Sequence, residues 1–183
     1  MYLTPVAAPE SEPVQESQAM EHLNETNDDR AIYVGGLIGA ARGMAENYTG
    51  RAIMRQTWKY TSNAFCDIVR LPLPPLVSVT SIKYYDGGNV LQTMNASDFY
   101  VFADAGIGCV SPVESWPSTY TRPDAVQITF LCGYLVCPHQ IQQAILLTIG
   151  ELYNNREETI IGKSISKLPL TSERLLAPYR VYL

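Results

Sequence analysis

The sequence has no basic cluster, no C-x-x-C pair, no phosphate-loop glycine spacing, no apolar run of membrane length and only two histidines. Each absence narrows the function. A sequence-independent nucleic-acid binder carries a basic patch or stripe, so DNA binding as the main task is disfavoured. The net charge of -5 is unevenly placed: residues 1–30 hold seven acids against one arginine, and the remainder holds eleven acids against twelve bases. The body is therefore close to neutral. No charged segment followed by an apolar run stands at the start, which predicts a chain without a signal peptide that stays in the cytosol where it is made. The N-x-[ST] triplets at Asn24, Asn47 and Asn95 then have no glycosylation meaning.

The four cysteines, Cys66, Cys109, Cys132 and Cys137, read as reduced and structural, since cysteine often acts as a small buried hydrophobe. A rival reading takes Cys132, Cys137 and His139 as zinc ligands, although structural zinc sites usually pair their ligands at tighter spacings. A second rival makes Cys137 a nucleophile with His22 or His139 as its base, but no pattern brings these residues together. Either would make the chain a small cytosolic enzyme or zinc protein.

What is present begins with VGGLIGAARG, residues 34–43. Neither G-x-G-x-x-G nor G-x-x-x-x-G-K-[ST] occurs in it. Charges at Asp28, Asp29, Arg30, Arg42 and Glu46 close it off well short of the ~20 residues a membrane span needs. On a helical wheel, Val34, Leu37, Ile38, Ala41, Met44, Ala45 and Tyr48 share one face, the expected core face. Gly35, Gly39 and Gly43 fall opposite, between Arg42 and Glu46. Each interior glycine costs a helix about 1 kcal/mol relative to alanine. Two readings follow: a chance run in a helix carried by its core face, or a face onto which another backbone packs closely.

The rest of the chain divides by texture. Residues 1–13, with three prolines and two glutamates, predict an extended or loosely ordered acidic arm. A short helix is expected over Val14–Leu23 and the long glycine-bearing helix after an Asn27 or Asp28 cap, ending at Thr49-Gly50. From Ile53 to Leu131, short runs rich in Thr, Val, Tyr and Ile read as strands, among them QTWKYT, VSVTSIKYYDGGNVL and AVQITFL. Asp86-Gly87-Gly88-Asn89 suits a hairpin turn, and Leu71-Pro72-Leu73-Pro74-Pro75 a rigid connector. A second long helix is expected from about Pro138 to Arg156, with Ile141, Ala144, Ile145, Thr148, Ile149 and Leu152 as its stripe. The expected fold is α+β: one domain over residues 14–158, with helical parts at 14–50 and 138–158 and an antiparallel β insertion at 53–131. An extended tail follows at 159–183, with Thr171 or Ser172 capping a short helix through Ala177.

That tail is too apolar to stand in water. Ile160, Ile161, Ile165, Leu168, Leu170, Leu175, Leu176, Tyr179, Val181, Tyr182 and Leu183 need a cover. They pack either on their own domain or on another chain, by strand addition or apolar anchors.

Several segments then resemble one family. Tyr48-Thr49-Gly50-Arg51-Ala52 with Gln56-Thr57-Trp58, Leu71-Pro72 through Ile82, Ser115-Trp116-Pro117 with Arg122-Pro123, Gly133-Tyr134, Tyr153–Glu157 and Leu175-Leu176-Ala177-Pro178-Tyr179-Arg180 occur in order along most of the chain. Together they resemble the tailed-phage head-tail connector proteins, also called adaptors or head completion proteins, in the larger form with a strand-rich insertion. The first helix departs from that pattern: VQESQAMEHL keeps Ala19, His22 and Leu23 in register but lacks the family's lysine.

The resemblance implies a virion protein assembled in the host cytoplasm, forming a ring of twelve copies beneath the portal protein and receiving a stopper or tail-completion protein. Genomic DNA would pass through its lumen without specific contacts. Neither a cofactor, a metal, a membrane nor a catalytic residue comes with this family. In such a ring Gly35, Gly39 and Gly43, with Arg42 beside them, are the candidate subunit contact. Ile160, Ile161, Ile165, Leu168, Leu170, Leu175, Leu176, Tyr179, Val181 and Leu183 are the candidate portal-docking residues. Another neck or tail-completion protein would share this interaction chemistry.

Overall fold

The computed structural model describes residues 1–104, 106–155, 159–160, 163–164 and 170–181. The fold is α+β. The chain divides into two compact units, Met1–Glu10 with Arg55–Tyr134, and Ser11–Met54 with Leu135–Leu183.

The second unit is helical. Its elements are α1 (Glu16–His22), α2 (Ala31–Thr49), α3 (His139–Asn154) and α4 (Leu170–Leu176). Helix α2 packs on α3, α3 on α4, and α1 on both α2 and α3. The periodicity of α3 places Ile141, Ala144, Ile145, Thr148 and Ile149 inside, as its stripe predicts, while Leu152 is half-buried. Helix α2 buries Val34, Ile38, Ala41, Ala45 and Thr49. Its core face is narrower than expected, with Leu37, Met44 and Tyr48 half-buried at its margin. A large aliphatic side chain taken fully out of water stabilises by about 1.5–3 kcal/mol, which offsets the glycines on the other side of the helix. Hydroxyl groups also close the core: Thr148 Oγ1 donates to Ala144 O at 2.8 Å, and Ser172 Oγ donates to the same carbonyl at 3.1 Å. Ser172 therefore lies inside α4 and joins it to α3 rather than capping it.

The loop between α1 and α2 is fastened by Glu25. Its carboxylate accepts from the Tyr153 hydroxyl, takes the N–H groups of Thr26 and Asn27 at 3.1 Å each, and lies 3.4 Å from Arg30 Nε. The Tyr153 hydrogen bond above all holds this carboxyl below its ordinary value, with the Asn27 N–H and Arg30 adding to the effect.

The first unit is a pair of antiparallel sheets. Strands β1 (Tyr2–Ala7), β2 (Gln56–Ser62), β4 (Leu76–Tyr85), β5 (Leu91–Thr93) and β8 (Val126–Cys132) form one, in the order β1-β2-β8-β4-β5. Strands β3 (Val69–Leu71), β6 (Phe99–Asp104) and β7 (Ile107–Pro112) form the other, in the order β3-β7-β6. The alternation in β8 buries Val126, Ile128, Phe130 and Cys132 and leaves Gln127, Thr129 and Leu131 half-buried. Strand β2 pairs with β8 without interruption from Gln56↔Cys132 to Ser62↔Val126. The Asp86–Asn89 turn closes as expected, with Asn89 N donating to Asp86 O at 2.8 Å, but Asn89 takes the positive φ of 60°. The Asp86 carboxylate braces it, accepting from the N–H groups of Gly88 and Val90 at 2.9 and 3.0 Å.

Residues 2–7 are not a loose arm. They pair with β2 from Tyr2↔Thr61 to Ala7↔Thr57, so the main chain is held while five of the six side chains stay exposed. Outside both sheets, Thr159–Ile160 and Lys163–Ser164 form a two-stranded ribbon, β9 and β10.

Gly108 on β7 lies hard against β4 of the other sheet. A Cβ there would lie 2.5 Å from both Cβ and Cδ2 of Leu76 on β4. Gly108→Ala is expected to destabilise the protein by about 1–3 kcal/mol, the usual cost of overpacking, measured by chemical denaturation. The Glu25 contacts give a pH prediction of definite sign. A carboxyl whose folded pKa is lowered contributes stability above its ordinary value of 4.5 and loses it as the pH falls through the lowered one. Glu25→Gln is expected to flatten the fall in stability on acidification below that value, followed as melting temperature against pH.

Candidate assembly surfaces

Three sets of residues were candidates for chemistry or contact: the glycine face of α2, the C-terminal segment, and the cysteines.

On α2 the glycines do not share one environment. A Cβ at Gly35 would sit 3.9 Å from Glu16 Oε2 of α1, whereas one at Gly36, Gly39 or Gly43 would meet no atom within 4 Å. The open part of the helix is thus Gly36, Gly39 and Gly43, and Ile32 near its start is 90% exposed. Arg42 is not offered outward. Its Nε donates to Glu12 Oε2 at 2.8 Å and its Nη1 to Glu46 Oε2 at 3.1 Å, the side chain being half-buried. Burial opposes this charge, but Glu12 and Glu46 outweigh it and hold the guanidinium above its ordinary pKa. Glu46 Oε1 also accepts from Ile53 N at 3.0 Å. The cluster ties the segment before α1 and the chain after α2 to α2 itself, so Arg42 is a brace of its own unit.

Residues 170–181 are committed to the helical unit. Leu176 is fully buried, because α4 packs on α3 and carries that side chain into the core. This corrects the expectation that Leu176 docks elsewhere. Leu175, Tyr179 and Val181 are half-buried, and Leu170 is 64% exposed at the start of α4. Val181 N donates to Thr49 O at 2.8 Å, Arg51 Nε donates to Tyr179 O, and the Arg180 guanidinium lies 5.2 Å from the Tyr48 ring centre. Ile161, Ile165, Leu168, Tyr182 and Leu183 lie outside the described residues, and of Ile160 only the backbone, in β9, is described.

Cys109, Cys132 and Cys137 are buried and Cys66 is exposed, all four as free thiols. Burial pushes the Cys137 thiol up to about 12, which disfavours the free thiolate that nucleophilic attack requires. His139 Nδ1 is 3.2 Å from Gln142 Oε1. Among the described residues no three His, Cys, Asp or Glu side chains are grouped so as to hold a metal ion, and no helix is long and apolar enough to cross a membrane.

No family model and no curated protein matches the sequence. The fold is nevertheless found in solved structures along its whole length. A chain from the neck of an empty GTA particle, computed with C6 symmetry, matches with TM-score 0.82 at 19% identity, covering 100% of this chain and 97% of that one. A chain from the virion of a native gene transfer agent (GTA) particle matches with TM-score 0.79 at 18% identity, with the same coverage. A third, from the neck of a native GTA particle computed with C12 symmetry, matches with TM-score 0.71 at 19% identity, again over 100% and 97%. The chain shares its fold with these proteins.

The empty space over α2 gives a direct expectation. Gly39→Ala should stabilise the isolated protein by about 0.5–1 kcal/mol, since a methyl group meets no neighbour and alanine is the better helix former. Chemical denaturation measures this, and a loss of stability would mean that the face is already covered.

Proposed function

We propose that this chain is a structural protein of the neck of a phage-like virion, of the connector kind with a strand-rich insertion. Copies form a ring beneath the portal protein, receive a stopper or tail-completion protein on the other side, and leave a channel through which the genome passes. The observation that carries this reading is the full-length likeness of fold to chains from necks computed with C6 and C12 symmetry.

Three features support it. The outward face of α2 at Gly36, Gly39 and Gly43 is smooth enough for a neighbouring backbone to approach. The absence of a basic cluster suits a channel, because strong phosphate contacts would hold DNA instead of letting it slide. Exposed Leu170 extends the apolar tail toward a partner, which on this reading is the portal, with Ile161, Ile165, Leu168 and Leu183 as further anchors. The protein would then reside at the portal vertex after assembly in the host cytoplasm. Burial raises the Cys137 thiol, which counts against it as the nucleophile of the rival enzyme reading.

The test mixes the purified protein with the portal of the same particle and images the product by electron microscopy. A ring is expected beneath the portal. Leu170→Glu should weaken its attachment, and Gly39→Leu should prevent closure of the ring while leaving a folded monomer. A portal that stays bare overturns the reading, and binding to isolated tails alone would assign the protein to a lower layer of the neck.

A further inference from the structure

Strand β6, with the sequence FYVFAD, pairs with β7 and has no strand on its other side among those described. Five of its six residues are exposed, among them Tyr100 at 59%, Val101 at 45% and Phe102 at 41%. The ladder to β7 fixes which main-chain groups face outward. Val113 N donates to Asp98 O at 3.0 Å, and Pro112, opposite Phe99, has no N–H to give. Bonded and unbonded pairs alternate along an antiparallel ladder. Tyr100, Phe102 and Asp104 therefore bond toward β7, while Phe99, Val101 and Ala103 turn their N–H and C=O groups to the free edge.

Such an edge is completed by another strand, and proteins usually blunt it with proline, lysine, a bulge or brevity. The other long or free edges described are blunted in these ways. Strand β1 carries Pro5 and a register shift between Pro5 and Ala7, and β3 and β5 have three residues each. The part of β4 that β5 leaves uncovered is bent by shifts between Leu76 and Ser78 and between Val79 and Ser81. Strand β6 has no proline or lysine, and its ladder runs unbroken from Phe99↔Pro112 to Asp104↔Ile107. Among the described strands, the free edge that matches β6 in length and regularity is therefore β6 of a second copy.

We propose that the free protein is a dimer in which β6 pairs antiparallel with β6 of a second copy, about a twofold axis at Val101. In this register Val101 lies opposite itself and Phe99 opposite Ala103, so every outward main-chain group of the strand is bonded. Moving the axis to Tyr100 or Phe102 would leave an end residue of the strand without a partner. Tyr100 comes opposite Phe102 of the second copy on one face, and the axis repeats this aromatic pair, a kind that stabilises antiparallel sheets. Asp104 comes opposite Asp98 at the ends of the ladder. There each carboxylate is engaged within its own copy, Asp104 by Arg70 Nη2 at 3.0 Å and Asp98 by Asn95 Nδ2 at 3.3 Å. The contact is isologous and closes at two copies. It has no place in a ring whose copies all point the same way, so it belongs to the protein before assembly, where it covers an edge open to aggregation. The inference goes beyond the neck reading and does not rest on it.

The test uses the full chain with exposed Cys66 changed to Ser. Sedimentation over a concentration series is expected to show a dimer, and a monomer throughout overturns the inference while leaving the neck reading untouched. Oxidation reads the register. Val101→Cys should give an inter-chain disulfide dimer, since bonded residues opposite each other stand about 5.5 Å apart between α-carbons, within the reach of a disulfide. Tyr100→Cys and Phe102→Cys should cross-link when combined in one chain and not singly. A dimer in sedimentation that yields no product from Val101→Cys or from the combined variant overturns the inference. Where a cysteine variant fails to fold, Val101→Lys decides. The side chain is exposed, so the fold should persist, and a charge on the axis meets its own copy, so the dimer should be lost; an undiminished dimer overturns the inference.

Discussion

The helical unit depends on where α2 stops. Gly50 ends it at φ 68°, a left-handed conformation that a residue with a side chain adopts only with strain, and its N–H donates to Glu46 O at 2.8 Å. That turn lets the chain leave the helix through Ala52, Ile53 and Met54, all three buried. It also exposes the last carbonyls of α2 to a partner, and the C-terminal segment provides one through Val181 N. The space over Gly50 is already taken, since a Cβ there would stand 3.5 Å from Val181 O. Residues more than a hundred positions apart thus close one corner. The last described turns of the chain are consequently part of the fold.

Periodic features were readable in advance where one face meets one core. Ile141, Ala144, Ile145 and Ile149 in α3 follow the helical repeat, and Val126, Ile128 and Phe130 in β8 follow the strand repeat. Features set by distant partners were not. Strand β1 contains Pro5 and finds its ladder on Tyr60 and Thr61, far along the chain, so nothing local marks it as a strand. Strand β6 exposes both faces and has no alternation to read. Arg42 looked available beside the glycines because its partner Glu12 stands thirty residues earlier. Leu176 looked like an anchor because a buried and an exposed leucine are the same letter until α3 is known to cover it.

The segments that carry the family resemblance are the ones that fasten joins. Trp116 stacks on Phe65 with ring centres 4.3 Å apart, and its Nε1 donates to Asp67 O at 3.3 Å. Arg122 lies 3.6 Å over the Tyr85 ring and donates to both oxygens of Asp124, at 2.6 and 2.9 Å. These two side chains pin the long connection between β7 and β8 to the β2–β3 loop and to the end of β4. The Tyr48–Ala52 and Leu175–Arg180 segments meet at the Gly50 corner. Such positions tolerate little change, because a flat aromatic stack or a bidentate ion pair has few geometric substitutes.

The uninterrupted β2–β8 ladder begins where the chain enters the strand-rich unit and ends where it leaves. Gln56 and Cys132 are directly opposite each other, a separation of about 5 Å between α-carbons. A span of more than seventy residues therefore begins and ends at neighbouring points of one sheet. Architecture of this kind allows the loops and hairpins within that span to be enlarged or reshaped while its two ends stay where they are. A lineage could retune what this protein touches without redesigning what holds it together.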